Sequence, residues 1–261
     1  KGYEKFLTRV FELAGIPMPE TAAANALAVE DVLAINSWTS VQERDMEKLY
    51  NPMSTEEIES KYPGFDFKAY FAARNIPDQK KINVNEPSFF EAFSNYFAEA
   101  DLNMLKNYMA GQLIQGACGA LSDDFYDASF DFFNRQMSGV TEQKPRWKRA
   151  MSVPNSILGE AVGKMYVEKY FPQSSKKKMV ELVANLQTAL GEHIDALDWM
   201  SDSTKVKAHE KLDNFTVKVG YPDKWKDYST LNIDPALPYY ENLREAGRWY
   251  VADNMSKLGK P

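Results

Sequence analysis

The 261-residue sequence contains one cysteine and two histidines. Cys118 alone excludes an intramolecular disulfide and a cysteine zinc cluster. It sits in Gly116-Ala-Cys-Gly119 among small residues, where a buried structural thiol is expected. A catalytic cysteine needs a histidine partner, and neither histidine gives a local sign of one. No run of about 18 apolar residues occurs, so no transmembrane helix is expected. Lys1-Gly2 is not a translation start and no signal-type apolar core follows it, which reads as a processed or truncated product.

Positive charge is also short. The formal net charge of −6 and pI near 5.2 argue against a nucleic-acid partner. The run Lys176-Lys177-Lys178 reads as a solvated face just inside a helix start. Gly-x-Ser-x-Gly, the phosphate-loop glycines and the dinucleotide fingerprint are all missing. The acid pairs Glu30-Asp31, Glu56-Glu57 and Asp123-Asp124 fall at helix starts or exposed faces, where they offset the helix dipole. None is bracketed by the turns of a calcium loop.

What is present is a helix former's composition: 44% hydrophobic, 26% charged and a high 13% aromatic, suited to large helix interfaces. A chain of this length buries about 70–75% of its unfolded surface. Tyr3, Phe6, Leu7, Val10, Phe11 and Ala14 recur at helical spacing, with Gly15 and Pro17 as the stop. Pro19-Glu20 opens an alanine-rich helix to about Asn36. Ser54-Thr-Glu-Glu57 is a capping box, and Phe67, Tyr70 and Phe71 mark the next helix. Pro87 begins another with Phe89, Phe90, Phe93, Tyr96 and Phe97 on one stripe, a pattern of core rather than of a ligand surface. Leu102–Cys118 and Ser122–Met137 continue the series.

Ser138–Pro145 reads as a loop and Ser152–Ser156 as a second break. Helix 156–171 carries Gly159 and Gly163 four apart, each expected to cost about 0.5–1 kcal/mol inside a helix, and so predicts a face that another backbone approaches. Ser175–Trp199 has the clearest period, through Met179, Leu182, Val183, Leu186, Leu190, Ile194 and Leu197. Ser201-Asp-Ser203 caps a helix to Asn214, and Pro238 opens a last one. Lys81–Asn85 and Thr216–Val219 are the expected strands. The fold class is mainly α: a multi-helix lobe with two or three short strands, with no fixed repeat and no linker dividing it.

His209-Glu-Lys-Leu-Asp213 is one residue short of the His-Glu-x-x-His of zinc peptidases, with Asp213 in the place of the second ligand. The surrounding charges instead suit a solvent-facing helix with i, i+4 pairs. His193, in phase with Leu186, Leu190 and Leu197, reads as a hydrogen-bonded core or edge residue. On these grounds the catalytic, cofactor-binding and metal residues expected within the chain are none.

The stretch 147–222 resembles the N-terminal, non-catalytic region of the neprilysin and endothelin-converting-enzyme family of zinc metallopeptidases. The resemblance rests on Trp147, Arg149, Ala161-Val-Gly-Lys-Met-Tyr-Val167, Asp198-Trp-Met200, Thr204-Lys205, Ala208, Lys211 and Gly220-Tyr-Pro222. Ala150 stands where vertebrate members carry a cysteine, so the resemblance is to a bacterial-type member that does without disulfides.

The resemblance implies that residues 1–261 are the helical lobe, incomplete at both ends, with 156–171 packing toward a catalytic lobe. It implies zinc held in the parent chain by a His-Glu-x-x-His helix and a downstream glutamate beyond residue 261, and an Asn-Ala-x-Tyr stretch aligning substrate soon after Leu258-Gly-Lys-Pro261. The expected partners are short peptide substrates and the C-terminal catalytic lobe. The expected role here is enclosing and size-selecting substrate, in an extracytoplasmic compartment. Two other readings are a non-enzymatic helical module binding protein or peptide, and a stand-alone hydrolase using His209 and Asp213.

Overall fold

Twelve α-helices, a π-helix, two 3-10 turns and one two-stranded antiparallel ladder make up the regular structure of residues 1–76 and 79–260, which the computed structural model describes. Pro261, the last residue of the segment beginning at Leu258, lies outside them. None of the described helices is long and apolar enough to cross a membrane. The chain divides into two compact units: residues 1–143 with those from Ile233 onward, and residues 144–232.

In the first unit the helices are α1 (Gly2–Leu13), α2 (Pro19–Asn36), α3 (Thr55–Lys61), α4 (Phe67–Ala73), α5 (Pro87–Glu99), α6 (Leu102–Ala117) and α7 (Asp123–Ser129). Its core stacks Phe6, Leu7, Val10 and Phe11 of α1 on Ala22, Ala23 and Ala26 of α2. Small alanines let the two helices approach closely, and the Phe rings fill the space left over. Cys118 is buried in the same cluster, as its small neighbours predict.

A π-helix, Phe130–Gln136, continues α7 where an α-helix to Met137 was expected. The wider turn brings Phe132 and Phe133 together against Phe6, at ring-centroid distances of 5.8 and 5.2 Å.

A second cluster gathers Ile58, Tyr62, Phe67, Phe71 and Val84. Ser54 caps α3 with the reciprocal Glu57 bond that the sequence announces. The stripe on α5 packs on this cluster through Phe90 and on Phe65 through Phe93 and Phe97, at 5.3 and 5.1 Å, with Phe97 still partly exposed. Strand β2 (Ile82–Asn83) falls inside the expected Lys81–Asn85, and its partner β1 (Pro52–Met53) has no alternating pattern to announce it. The final helix of this unit is Tyr239–Met255 (α12).

The second unit holds α8 (Arg146–Ile157), α9 (Gly159–Tyr170), α10 (Gln173–Ala196) and α11 (Asp202–Asp213). The break expected at Ser152–Ser156 is absent. Helix α8 runs through Pro154, and the turn comes at Leu158, whose N–H donates to the Pro154 carbonyl at 2.7 Å. Gly159 is consequently the first residue of α9 rather than an interior one, so only Gly163 carries the interior cost. Thr216–Val219 forms no ladder; with no neighbouring strand in its unit, extended propensity has nothing to pair with.

Candidate functional site

No three His, Cys, Asp or Glu side chains among the described residues lie close enough together to hold a metal ion. His209 is not paired with Asp213. Its Nε2 lies 2.8 Å from Asp195 Oδ1, which ties α11 to the last turn of α10. A Cβ built at Gly191 would lie 3.4 Å from His209 Cε1, so the ring packs against α10. His209 is thus half-buried, not on the solvent face that the surrounding charges suggest. Glu210 and Asp213 are on that face. His193 is exposed rather than core.

Burial pushes the Cys118 thiol up to about 11, and the thiol contacts the Ile114 carbonyl at 3.2 Å. A thiol so far from ionising is a poor nucleophile at neutral pH.

Sequence reasoning missed a cluster in the second unit. Lys176 is tucked in, not solvated like the rest of its run: its Nζ donates to the Tyr221 carbonyl at 2.8 Å and to Asp223 Oδ1 at 2.7 Å. The same ammonium sits 4.3 Å from the Tyr221 ring centroid, within cation–π range. Tyr221 stacks on Trp225 at 5.7 Å. Together they wall a groove of about 490 Å³ between the start of α10 and the loop 221–225. Hydrogen bonding to Lys176 holds the Asp223 carboxyl below the usual carboxylate range. The only hint in the sequence is that an aromatic and an acid follow Gly220.

Gly220 has a physical reason. Its φ is +70°, and a Cβ there would lie 2.9 Å from Phe171 Cε1, so both backbone and space call for glycine. Helix α9 is fastened to the same loop, the Lys226 N–H donating to Glu160 Oε2 at 2.6 Å. Gly163 faces Trp225, with 3.7 Å to a built Cβ, while Gly159 has open space around it. Trp147 and Trp199, two large members of the 147–222 signature, are mostly exposed.

In the first unit a polar cluster joins three helices. The Tyr3 hydroxyl lies 2.8 Å from Glu30 Oε1 and 2.9 Å from Gln115 Oε1, and Gln112 Nε2 donates to the same Glu30 oxygen at 2.6 Å. Burial and then the Glu30 carboxylate raise the Tyr3 phenol above its ordinary value. The cluster joins α1, α2 and α6; it contains neither a nucleophile paired with a base nor a metal-ligand set.

Among the described residues the geometry supplies packing faces and a groove. The family model of peptidase family M13, its N-terminal part, matches residues 1–222. A neutral endopeptidase of Lactobacillus helveticus is 31% identical over 99% of this chain and 40% of its own length. Neprilysin-2 of Drosophila melanogaster is 28% identical over 99% of this chain and 36% of its own. The crystal structure of the Mycobacterium tuberculosis zinc metalloprotease Zmp1 with an inhibitor superimposes with a TM-score of 0.90 at 31% identity, covering all of this chain and 40% of that one. The chain thus spans 36–40% of the length of these relatives. With the matched residues running through the helical units just described, this chain belongs to peptidase family M13 and represents its N-terminal, non-catalytic region.

Proposed function

We propose that residues 1–261 form the helical lobe of a zinc-dependent metalloendopeptidase, enclosing short peptides and limiting their size while a second lobe carries out hydrolysis. The observation that carries this reading is the end-to-end match to a zinc metalloprotease of which this chain covers only 40%. The donor set within the described residues does not fit zinc. His209 is engaged with Asp195, and no three-ligand group exists there. No chemical step is therefore assigned to this chain, and the zinc ligands belong to the polypeptide that relatives carry in addition. Its partners on this reading are peptide substrates and that catalytic lobe, with residues 156–171 packing toward the lobe. The parent acts outside the cytoplasm, which fractionation of the producing cells tests.

The test of function compares residues 1–261 with the product of the whole reading frame. Expected is one zinc per longer chain, cleavage of short peptides but not of folded proteins, and neither zinc nor activity for residues 1–261. Stoichiometric zinc with peptidase activity in the shorter chain would sink the inactive-lobe assignment. A reading frame without both His-Glu-x-x-His and Asn-Ala-x-Tyr would sink the peptidase assignment itself.

A further inference from the structure

The apolar face of helix α10 is only partly covered within its own unit. The side that meets α11 and the loop carries Lys176, Val183, Gln187, Gly191 and Ile194, all buried or half-buried. Its most apolar side carries Met179, Leu182, Leu186 and Leu190, which are 42, 49, 61 and 51% exposed. At about 100° per residue the spacings of three, four and four put these four on one stripe about 17 Å long. A helix with such a stripe is stable in water only when another element covers it. Here the packed side takes in a glutamine and a glycine beside Val183 and Ile194, while three leucines roughly a quarter turn away stay about half exposed.

We infer that the Met179–Leu190 stripe of α10 is a docking surface for an apolar-faced element of the same polypeptide, from the part that relatives carry beyond the region matched here. This rests on the proposed reading of a longer parent chain. One observation and one physical argument favour that occupant over a second copy. The fold recurs at a TM-score of 0.90 inside a chain of which it makes up 40%, so such a molecule has more polypeptide outside this fold than within it. Covalent connection also presents a cover at an effective concentration of order millimolar, far above that of a free copy.

The test is site-resolved thiol labelling. Leu186→Cys and, separately, Leu190→Cys are made in residues 1–261 and in the zinc-loaded product of the whole reading frame. Maleimide labelling is read by peptide mass spectrometry and referenced to the same variant in denaturant. Cys118, buried and with a raised pKa, contributes little background. Expected is fast labelling of both sites in the short chain and labelling at least about tenfold slower in the long one. Equal rates in the two would overturn the inference, as would a reading frame ending at Pro261. Slow labelling in a short chain that runs as a dimer on gel filtration would do so too, by assigning the stripe to a second copy. Protection at both sites in a long chain lacking peptidase activity would instead overturn the proposed function and leave the docking surface standing.

Discussion

A Cβ built at Gly64 lies 2.0 Å from the Ser94 carbonyl oxygen, and the Gly64 N–H donates to Ser94 Oγ at 2.8 Å. Backbone meets backbone here, so no side chain can swing aside. Gly64→Ala is expected to cost about 3 kcal/mol, the upper end for overpacking, read as a fall in the urea midpoint at unchanged slope. Two residues earlier, the Tyr62 ring is fully buried, and its hydroxyl finds no hydrogen-bond partner among the described residues. Removing an unpaired buried hydroxyl removes a desolvation cost. Tyr62→Phe is therefore expected to unfold within about 0.5 kcal/mol of the parent chain or to be more stable. A loss of more than about 1 kcal/mol would show that the hydroxyl is satisfied after all. Neither property was legible from sequence. Gly64 and Ser94 meet across 30 positions, which no local pattern announces. Cys118 was legible, since a thiol among glycines and alanines has little other than a core to enter.

Elements were easier to read than their relations. The first turns of α2, α3 and α5 were fixed by Pro19, the Ser54–Glu57 box and Pro87, local signals that tertiary structure had no reason to override. Pro154 misled because α8 absorbs it, and the chain turns four residues later at Leu158. The tie between α10 and the loop after Gly220 could not be read, because a lysine run looks the same whether or not one member folds inward. Lys176→Met tests that tie. Asp223 is exposed and its carboxyl is held low by Lys176, so its titration midpoint is expected to rise toward the ordinary value of about 3.9 in the variant. In the parent chain the folded pKa lies below the unfolded one. The pair's contribution is thus fully present above the ordinary value and is lost as pH falls through the depressed one. A carboxyl resonance of Asp223 that titrates identically in both proteins would remove the pair from the account.

On the scale of the whole chain, burial is divided unevenly between the units. The first holds two clusters of buried aromatic and aliphatic side chains. Within residues 144–232 Ile194 alone, at 9% exposure, counts as a buried apolar side chain. Domains near this size normally hide some 60–70% of the surface of the unfolded chain, and stability follows apolar area removed from water at about 25 cal/mol per Å². Few buried contacts mean that local opening is easy. The amide groups of α9, α10 and α11 are accordingly expected to exchange at least about 100-fold faster than those of α1, α2 and α6 in residues 1–261. The period of α10 was plain in the sequence, yet a period says only that one face is apolar, not which neighbour covers it. That neighbour is what the exchange experiment detects when repeated on the product of the whole reading frame. A cover over the α10 stripe slows exchange in α10 and in the α11 helix paired with it through His209, while α1 and α2, already closed around Phe11, change little. Protection of α10 in residues 1–261 that already equals that of α1 would mean the second unit needs no cover, and the outward leucines would then be surface residues.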